Sequence, residues 1–361
     1  MVVLIVVGTR PEVVKMAPVI RALEKQGHPF IFVHSGQHYD YNLSLQFIEE
    51  LELPKPDYCL KVREESAAVQ TGRIMITVEE VVKKEEPRLL LIEGDTNTIL
   101  ATALVGLKEN VPVGHVEAGL RSYDFRMPEE HNRRLADQAS SYLFAPTEKA
   151  KDNVICENVW GKIYVTGNTV IDSVLQHFPL AEKKSRIMGD VKFEEYALAT
   201  VHRMENVDDP KVLRSFVEAF MKLPIPVVFP IHPRTQKRLR QHNMWTNFLS
   251  SENVQILPPL GYLDFLMLMK NCTLILTDSG GLQEEATSSS IRKPVLVLRL
   301  STERPEAVEA GFAKVVGTER DGIVTAVSQI LKYGMQLPIK SPFGDGTAGE
   351  KIAQILKKEL A

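Results

Sequence analysis

The sequence has few cysteines and little net charge. Its 361 residues include three cysteines, Cys59, Cys156 and Cys272, which lie far apart and form no Cys-x-x-Cys pair. This spacing argues against a zinc site or a disulfide framework and favours a reduced, cytoplasmic setting. The formal net charge of −3 argues against nucleic acid as the main partner. Any anion-binding site must therefore be local.

Long apolar runs are also missing. No stretch approaches the roughly 20 residues that cross a bilayer, so we expect no membrane partner. The N-terminal "MVVLIVV" is too short for this, and neither a basic segment nor a small-residue cleavage site marks it as a signal peptide. We predict that it forms a buried first strand.

Short apolar runs instead alternate with helical stretches along almost the whole chain. Runs such as "VVLIVVG" and "PRLLLIEGD" favour parallel strands buried on both faces, and the pattern restarts near residue 170. We predict an α/β fold of two doubly wound, Rossmann-like domains, residues 1–168 and 169–346. The last helix, in residues 347–361, would cross back onto the first domain. Because such sheets bind ligands beyond the carboxyl ends of their strands, two domains facing each other would enclose a cleft.

In the first half, charged residues follow three predicted strands. Arg10 and Lys15 lie at a helix start, where two cations oppose the helix dipole unless an anion binds there. Asp95 and Glu117 end two further strands, and Glu129 follows in the next helix start. Each acid could be only a helix cap or a first-turn acid. Clustered carboxylates also push their pKa values apart, which suits proton transfer.

In the second half, "TVHRMEN" places His202 at a strand end, and "LILTDSGGLQEEA" turns through small residues into a helix. A lone histidine is usually structural, but His202 there favours phosphate contact. Backbone N–H groups of Ser279–Gly281 could hold a diphosphate. Glu285, one helical turn on, could accept hydrogen bonds from ribose hydroxyls. These features predict a nucleotide-sugar ligand, and no Asp-x-Asp metal motif ends a strand, so we expect no metal or other cofactor.

Six segments together carry a family resemblance: "GTRPEVVKMAP", "GDTNT", "HVEAGLRS", "PEEHNRR", "TVHRMEN" and "TDSGGLQEEA…TERPEAVEAG". In this order and spacing, from residue 8 to about 317, the chain resembles the non-hydrolysing UDP-N-acetylglucosamine 2-epimerases. The resemblance implies a GT-B architecture, a homodimer, and interconversion of UDP-GlcNAc with UDP-ManNAc through a glycal intermediate.

The resemblance also assigns roles to individual residues at matching positions of this sequence. It implies catalytic roles for Asp95, Glu117, Glu129 and His202. It implies UDP-sugar contacts for Arg10, Lys15, His202, Phe265, Ser279, Gly280, Gly281, Glu285 and Arg304. Bacterial relatives can bind a second UDP-GlcNAc beside the active site, and here Gln37, His38 and Arg63 would form that regulatory site. A polar loop without a ligand is the alternative for these three residues.

Three alternatives share part of this pattern. A hydrolysing 2-epimerase would let water replace the returning UDP and release free ManNAc. A GT-B glycosyltransferase would use the same nucleotide contacts but needs no carboxylate trio near C2 of the sugar. A non-enzymatic UDP-sugar sensor would leave that trio unexplained. The sequence therefore favours an isomerase.

Overall fold

A computed structural model describes residues 2–36, 47–60, 62 and 66–360. The chain divides into two compact units, one formed by residues 1–173 with 343–361 and the other by residues 174–342. Helix α6 (Thr169–Lys184) spans the first point of division. The predicted boundaries, after residue 168 and before residue 347, lie within a few residues of this division.

The first unit contains a parallel sheet of seven strands in the order β3-β2-β1-β4-β5-β6-β7. Its strands are β1 (Val3–Val7), β2 (Phe30–His34), β3 (Tyr58–Cys59), β4 (Leu89–Glu93), β5 (Val113–Val116), β6 (Tyr142–Ala145) and β7 (Lys162–Val165). Its helices include α1 (Arg10–Lys25), α2 (Ala67–Glu85), α3 (Asn97–Glu109), α4 (Pro128–Ala139), α5 (Glu148–Cys156) and α15 (Ala348–Glu359).

The second unit contains a parallel sheet of six strands in the order β10-β9-β8-β11-β12-β13. Its strands are β8 (Ala197–Thr200), β9 (Val227–Pro230), β10 (Val254–Leu257), β11 (Leu274–Thr277), β12 (Val295–Val297) and β13 (Ala313–Val315). Its helices include α7 (Met204–Val207), α8 (Pro210–Lys222), α9 (Pro233–Gln241), α10 (Trp245–Leu249), α11 (Tyr262–Asn271), α12 (Gly280–Glu285), α13 (Pro305–Glu309) and α14 (Arg320–Tyr333).

The central strands of both sheets are apolar because helices cover both faces. Every residue of β1 and β4 is buried, as the continuous runs of Val, Leu and Ile predict. The strand order reverses direction between β1 and β4 in the first unit and between β8 and β11 in the second. Ligands of open α/β sheets bind at such points. The predicted fold class, two Rossmann-like parallel-sheet domains, is confirmed.

The described helices include none long and apolar enough to cross a membrane. The C-terminal helix α15 packs against α1 within the first unit. The Gly349 N–H donates to Asp172 Oδ1 at 2.8 Å, and burial raises the pKa of Asp172 to about 6. A Cβ atom at Gly349 would lie 2.8 Å from the backbone of Pro18, so the two helices approach too closely for any side chain there.

We therefore expect Gly349→Ala to lower the free energy of unfolding by about 1–3 kcal/mol, since the added methyl must push α15 away from α1. Gly72→Ala is the matched control, because Gly72 lies within α2 with open space around its Cβ position. That change should stabilise the chain by about 0.5–1 kcal/mol. Urea unfolding measures both, and equal stabilities of the two variants would contradict the close packing.

Candidate active site

The turn after β1 is closed by a buried acid. Glu12 Oε2 accepts hydrogen bonds from the N–H groups of Gly8 at 2.5 Å and Thr9 at 3.2 Å. Burial, with a smaller contribution from the nearby Asp95 charge, raises the pKa of Glu12 to about 7 against the lowering effect of hydrogen bonds from Thr96, Gly8 and Thr9. A Cβ at Gly8 would lie 2.2 Å from Thr98 Oγ1, so the turn requires glycine. Arg10, the first residue of α1, is exposed beyond this turn, with its guanidinium 5.5 Å from the centre of the Phe47 ring.

Lys15 lies one turn into α1 and joins two carboxylates. Its ammonium donates to Glu117 Oε2 and lies 3.2 Å from Glu93 Oε1. Glu117 directly follows β5 with φ of 68°, and Glu93 is the last residue of β4. The structure thus brings together the predicted Lys15 and Glu117. It adds Glu93, which sequence reasoning missed because it reads as part of the strand "LLLIE".

Asp95, two residues beyond β4, is held by helix α4. Arg133 Nη2 donates to its Oδ2, and Asn132 Nδ2 donates to its backbone oxygen at 2.9 Å. The same Arg133 lies 3.2 Å from Glu130 Oε2. Glu129, in the first turn of α4, is half-buried. The segment "PEEHNRR" therefore supplies the groups that orient Asp95 as well as the predicted acid.

A buried polar network positions the loops that carry these acids. His115 on β5 contacts Asp137 Oδ1 and the Gly94 carbonyl, both at 2.8 Å. Asp137 Oδ2 accepts from Arg121 at 2.7 Å and from the Gly119 N–H at 3.2 Å. Burial raises the pKa of Asp137, but its contacts with His115 and Arg121 outweigh that effect and leave it below the usual value. Sequence reasoning did not identify this network, because its members are 16–22 residues apart.

In the second unit, Asp278 organises the loop after β8. It is fully buried and accepts from the N–H groups of His202 and Arg203 at 3.0 and 2.9 Å and from Asn206 Nδ2 at 3.0 Å. Burial raises the pKa of Asp278, but hydrogen bonds from His202, Arg203 and Asn206 lower it below the usual value. His202 Nδ1 also lies 3.1 Å from Asp278 Oδ1. This contact fixes the ring and directs Nε2 away from the carboxylate.

The small-residue turn after β11 begins helix α12. The Ser279 N–H donates to Thr277 Oγ1 at 2.9 Å, so an anion at this turn would depend on the N–H groups of Gly280 and Gly281. A Cβ at Gly280 would lie 2.7 Å from Glu303 Oε1. Close approach of this acid explains why the first helical residue is glycine.

Buried ion pairs neutralise the acids beside that turn. Arg304 Nε donates to Glu284 Oε1 at 2.5 Å, and both side chains are buried. Glu303 pairs with Arg203 at 3.0 Å and with Arg299. Although burial raises its pKa, the charges of these arginines lower it to about 2. Glu284 and Glu303 are therefore matched by guanidinium groups, which the linear sequence did not reveal.

The remaining predicted contacts lie on α11 and α12. Glu285 is buried on α12, and burial, with a smaller contribution from the Glu285 charge, raises the pKa of Tyr262 on α11. Phe265 is half-buried one turn beyond Tyr262. Gln37, His38 and Arg63 lie outside the described residues, so the regulatory site stays a prediction. In the part of the chain that the structure describes, no cluster of His, Cys, Asp and Glu is arranged to hold a metal ion.

Two Rossmann-like sheets, with carboxylates at the switch point of the first and a carboxylate-held histidine after β8 in the second, place the chain among two-domain α/β proteins. Comparison with known proteins identifies the family. Residues 21–357 match the UDP-N-acetylglucosamine 2-epimerase family, and the chain belongs to it. The predicted resemblance is confirmed.

Individual relatives cover nearly the whole chain. The UDP-N-acetylglucosamine 2-epimerase of Methanocaldococcus jannaschii is 45% identical over 361 residues, covering 98% of each protein. Its crystal structure in complex with UDP-GlcNAc and UDP is similar to this chain with a TM-score of 0.92, covering 99% of this chain and 100% of that one. The UDP-2,3-diacetamido-2,3-dideoxy-D-glucuronate 2-epimerase of Pseudomonas aeruginosa is 40% identical over 367 residues, covering 99% of each.

The Asp278 geometry predicts a stability effect. In Asp278→Asn an amide group faces several buried donors, so the free energy of unfolding at pH 7 should fall by about 1–3 kcal/mol. Since folding lowers the Asp278 pKa, its contribution is present above about pH 4 and is lost as the pH falls through the folded value, so the difference should shrink there.

Asp208→Asn is the matched control for that measurement. Asp208 pairs with Arg234 and Arg238 near the surface, where ion pairs contribute less than about 1 kcal/mol. Urea unfolding of both variants checks the prediction. Equal losses would mean that Asp278 is no more important to the loop than a surface acid.

Proposed function

We propose that the chain catalyses the reversible epimerisation of UDP-GlcNAc to UDP-ManNAc at C2, by elimination of UDP and its re-addition. The observation that carries this proposal is the pair of predicted carboxylates at neighbouring strand ends, Asp95 beside Arg133 and Glu117 beside Lys15. The M. jannaschii relative, solved with UDP-GlcNAc and UDP, supports the substrate class.

The chemistry requires the anomeric bond to break first. The C2–H of the sugar lies beside no carbonyl group and is barely acidic. When the C1–O bond breaks, its electron pair leaves with UDP, and the oxocarbenium character at C1 makes the C2 proton acidic. A carboxylate then removes that proton, and the C–H electrons form the C1–C2 double bond of a glycal.

UDP leaves as an anion, so its departure needs positive charge and oriented N–H groups. Arg10, His202 and the N–H groups of Gly280 and Gly281 fit this role. Glu285 suits the ribose hydroxyls, and Phe265 suits the uracil. Arg304 contributes by neutralising Glu284 beside the turn.

Inversion needs a proton carrier on each face of C2. Asp95, Glu117 and Glu129 are the three candidates for these two roles. One ionised carboxylate takes the proton from the first face, and a protonated carboxyl gives one to the opposite face. UDP then adds back at C1, so no water is consumed, whereas a hydrolysing enzyme would release UDP and free ManNAc.

A second substrate has specific support. The P. aeruginosa relative, named for a diacetamido glucuronate substrate, is 40% identical over 99% of each chain. The same C2 chemistry applies to that sugar. UDP-2,3-diacetamido-2,3-dideoxy-D-glucuronate is therefore the second candidate substrate, and both UDP-sugars belong in the same assay.

We propose a homodimer in a reduced, cytoplasmic setting. The exposed apolar residues Ile76, Leu107 and Leu135, which are 59%, 50% and 52% exposed, lie on the neighbouring helices α2, α3 and α4. Such a surface favours contact with a second copy, and the cysteines are free. Light scattering should give about twice the chain mass of 40.5 kDa. A mass equal to that of one chain would refute the dimer.

The mechanism predicts where deuterium enters. With UDP-GlcNAc in D₂O, NMR should show UDP-ManNAc carrying deuterium at C2, because the proton carriers exchange with solvent. Asp95→Asn, Glu117→Gln or Glu129→Gln should lose roughly 10²–10⁴-fold in rate wherever the residue carries a proton. His202→Ala should slow C1–O cleavage and so suppress exchange and epimerisation together.

Glu148→Gln is the matched control, because Glu148 is a surface acid in the first turn of α5. It should keep the natural rate. Product without C2 deuterium, or three amide variants at near-normal rate, would contradict the mechanism. Free ManNAc as the first product would instead identify a hydrolysing enzyme, and no conversion of either UDP-sugar would refute the proposed function.

A further inference from the structure

Glu93 has no role in the mechanism above, although it lies beside one of the proposed proton carriers. It is the last residue of β4 and is 1% exposed. Strand β4 adjoins β1 on one side and β5 on the other. The Glu93 side chain therefore lies at the switch point of the first sheet, between the start of α1 and the loop after β5.

One ammonium joins Glu93 to Glu117. Lys15 Nζ lies 3.2 Å from Glu93 Oε1 and donates to Glu117 Oε2, while the Lys15 side chain is itself mostly buried. Both buried carboxyl groups therefore lie against the same ammonium group. Two carboxyl groups in such a position form a hydrogen bond with each other only when one of them carries a proton.

Charge and burial favour the singly protonated pair. Two carboxylates beside one ammonium leave a buried negative charge, which is unfavourable away from water. One proton on the pair removes that charge. Burial first, and then the charges of Glu117 and of Glu12 on α1, raise the pKa of Glu93 well above its ordinary value against the lowering effect of Lys15.

We propose that Glu93 is a positioning residue for Glu117: the two carboxyl groups hold one proton between them, and Lys15 and Glu93 together fix the Glu117 carboxylate that acts on C2. The part of this inference that concerns C2 rests on the proposed function. The proton lies on Glu93 when Glu117 accepts the C2 proton. It lies on Glu117 when Glu117 donates to the sugar. The pair carries the same charge in both arrangements.

Infrared spectroscopy tests the shared proton without substrate. At pH 9, where Asp172 with a pKa of about 6 and Glu12 with a pKa of about 7 are both ionised, the natural chain should show the C=O stretching band of a protonated carboxyl group. Glu93→Gln should lose this band. Asp172→Asn, which makes the same carboxyl-to-amide change at another buried site of the first unit, should keep it.

The pH dependence of the steady-state rate tests whether Glu93 positions Glu117. The amide that Glu93→Gln introduces cannot ionise, so in this variant the pH at which kcat/KM falls on the alkaline side should rise by about one pH unit or more. In the natural chain, loss of the shared proton places a second negative charge near an anionic substrate and weakens its binding. The rate at pH 7 should fall by less than about tenfold, well short of the roughly 10²–10⁴-fold loss expected of a proton carrier.

The outcomes separate the two proposals. A band that persists in Glu93→Gln, or a pH profile identical to that of the natural chain and of Asp172→Asn, would overturn the pairing. If Glu93→Gln does not fold, Glu93→Asp replaces it, and this variant should keep the band but shift the pH profile. If the natural chain converts neither UDP-sugar, the proposed function fails, and the infrared comparison still decides whether the pair shares a proton.

Discussion

Both units depend on one constraint: charged groups must be buried at the carboxyl ends of apolar strands. Parallel strands that are covered on both faces do not contact water along their length. The residues that follow each strand therefore lie among buried backbone groups and acids. An unpaired charge there is costly. The structure meets this constraint by giving the acids N–H donors, cations or a proton.

Both units satisfy this constraint with a similar set of hydrogen bonds to a buried acid, but the pKa of that acid shifts in opposite directions in the two units. Glu12 in the first unit and Asp278 in the second each accept backbone N–H groups of the turn that follows the first strand of their sheet. Asp278 has in addition the Asn206 amide and the His202 ring, and its pKa is lowered. For Glu12, burial outweighs the hydrogen bonds, and its pKa is raised to about 7.

Sequence periodicity predicted the two parallel sheets because each strand is a short apolar run between helices. Polar residues directly after those runs pointed to Asp95, Glu117 and His202, since strand ends share one edge of a sheet. Glu93 was missed because it ends an apolar run and resembles a strand residue. The pairing of Glu284 with Arg304 was missed because it joins residues 20 positions apart. Long-range pairing depends on the tertiary fold, which local patterns do not encode.

The pair of Glu284 and Arg304 balances the charge of one acid beside the glycine turn within the protein. The two units also differ in how their buried acids are ionised. Beside the β1–β4 switch point, burial raises the pKa of Glu12 to about 7 and the pKa of Glu93 well above its ordinary value, so both acids hold protons more readily than exposed carboxyl groups. In the second unit, donors and arginines lower the pKa values of Asp278 and Glu303, so their charges stay fixed. In the proposed mechanism, proton transfer at C2 uses the raised pKa values of the first unit, whereas the departing diphosphate needs cations and N–H groups, which the ionised acids of the second unit hold in place. The two sheets of this chain therefore differ in the electrostatic character of their strand ends.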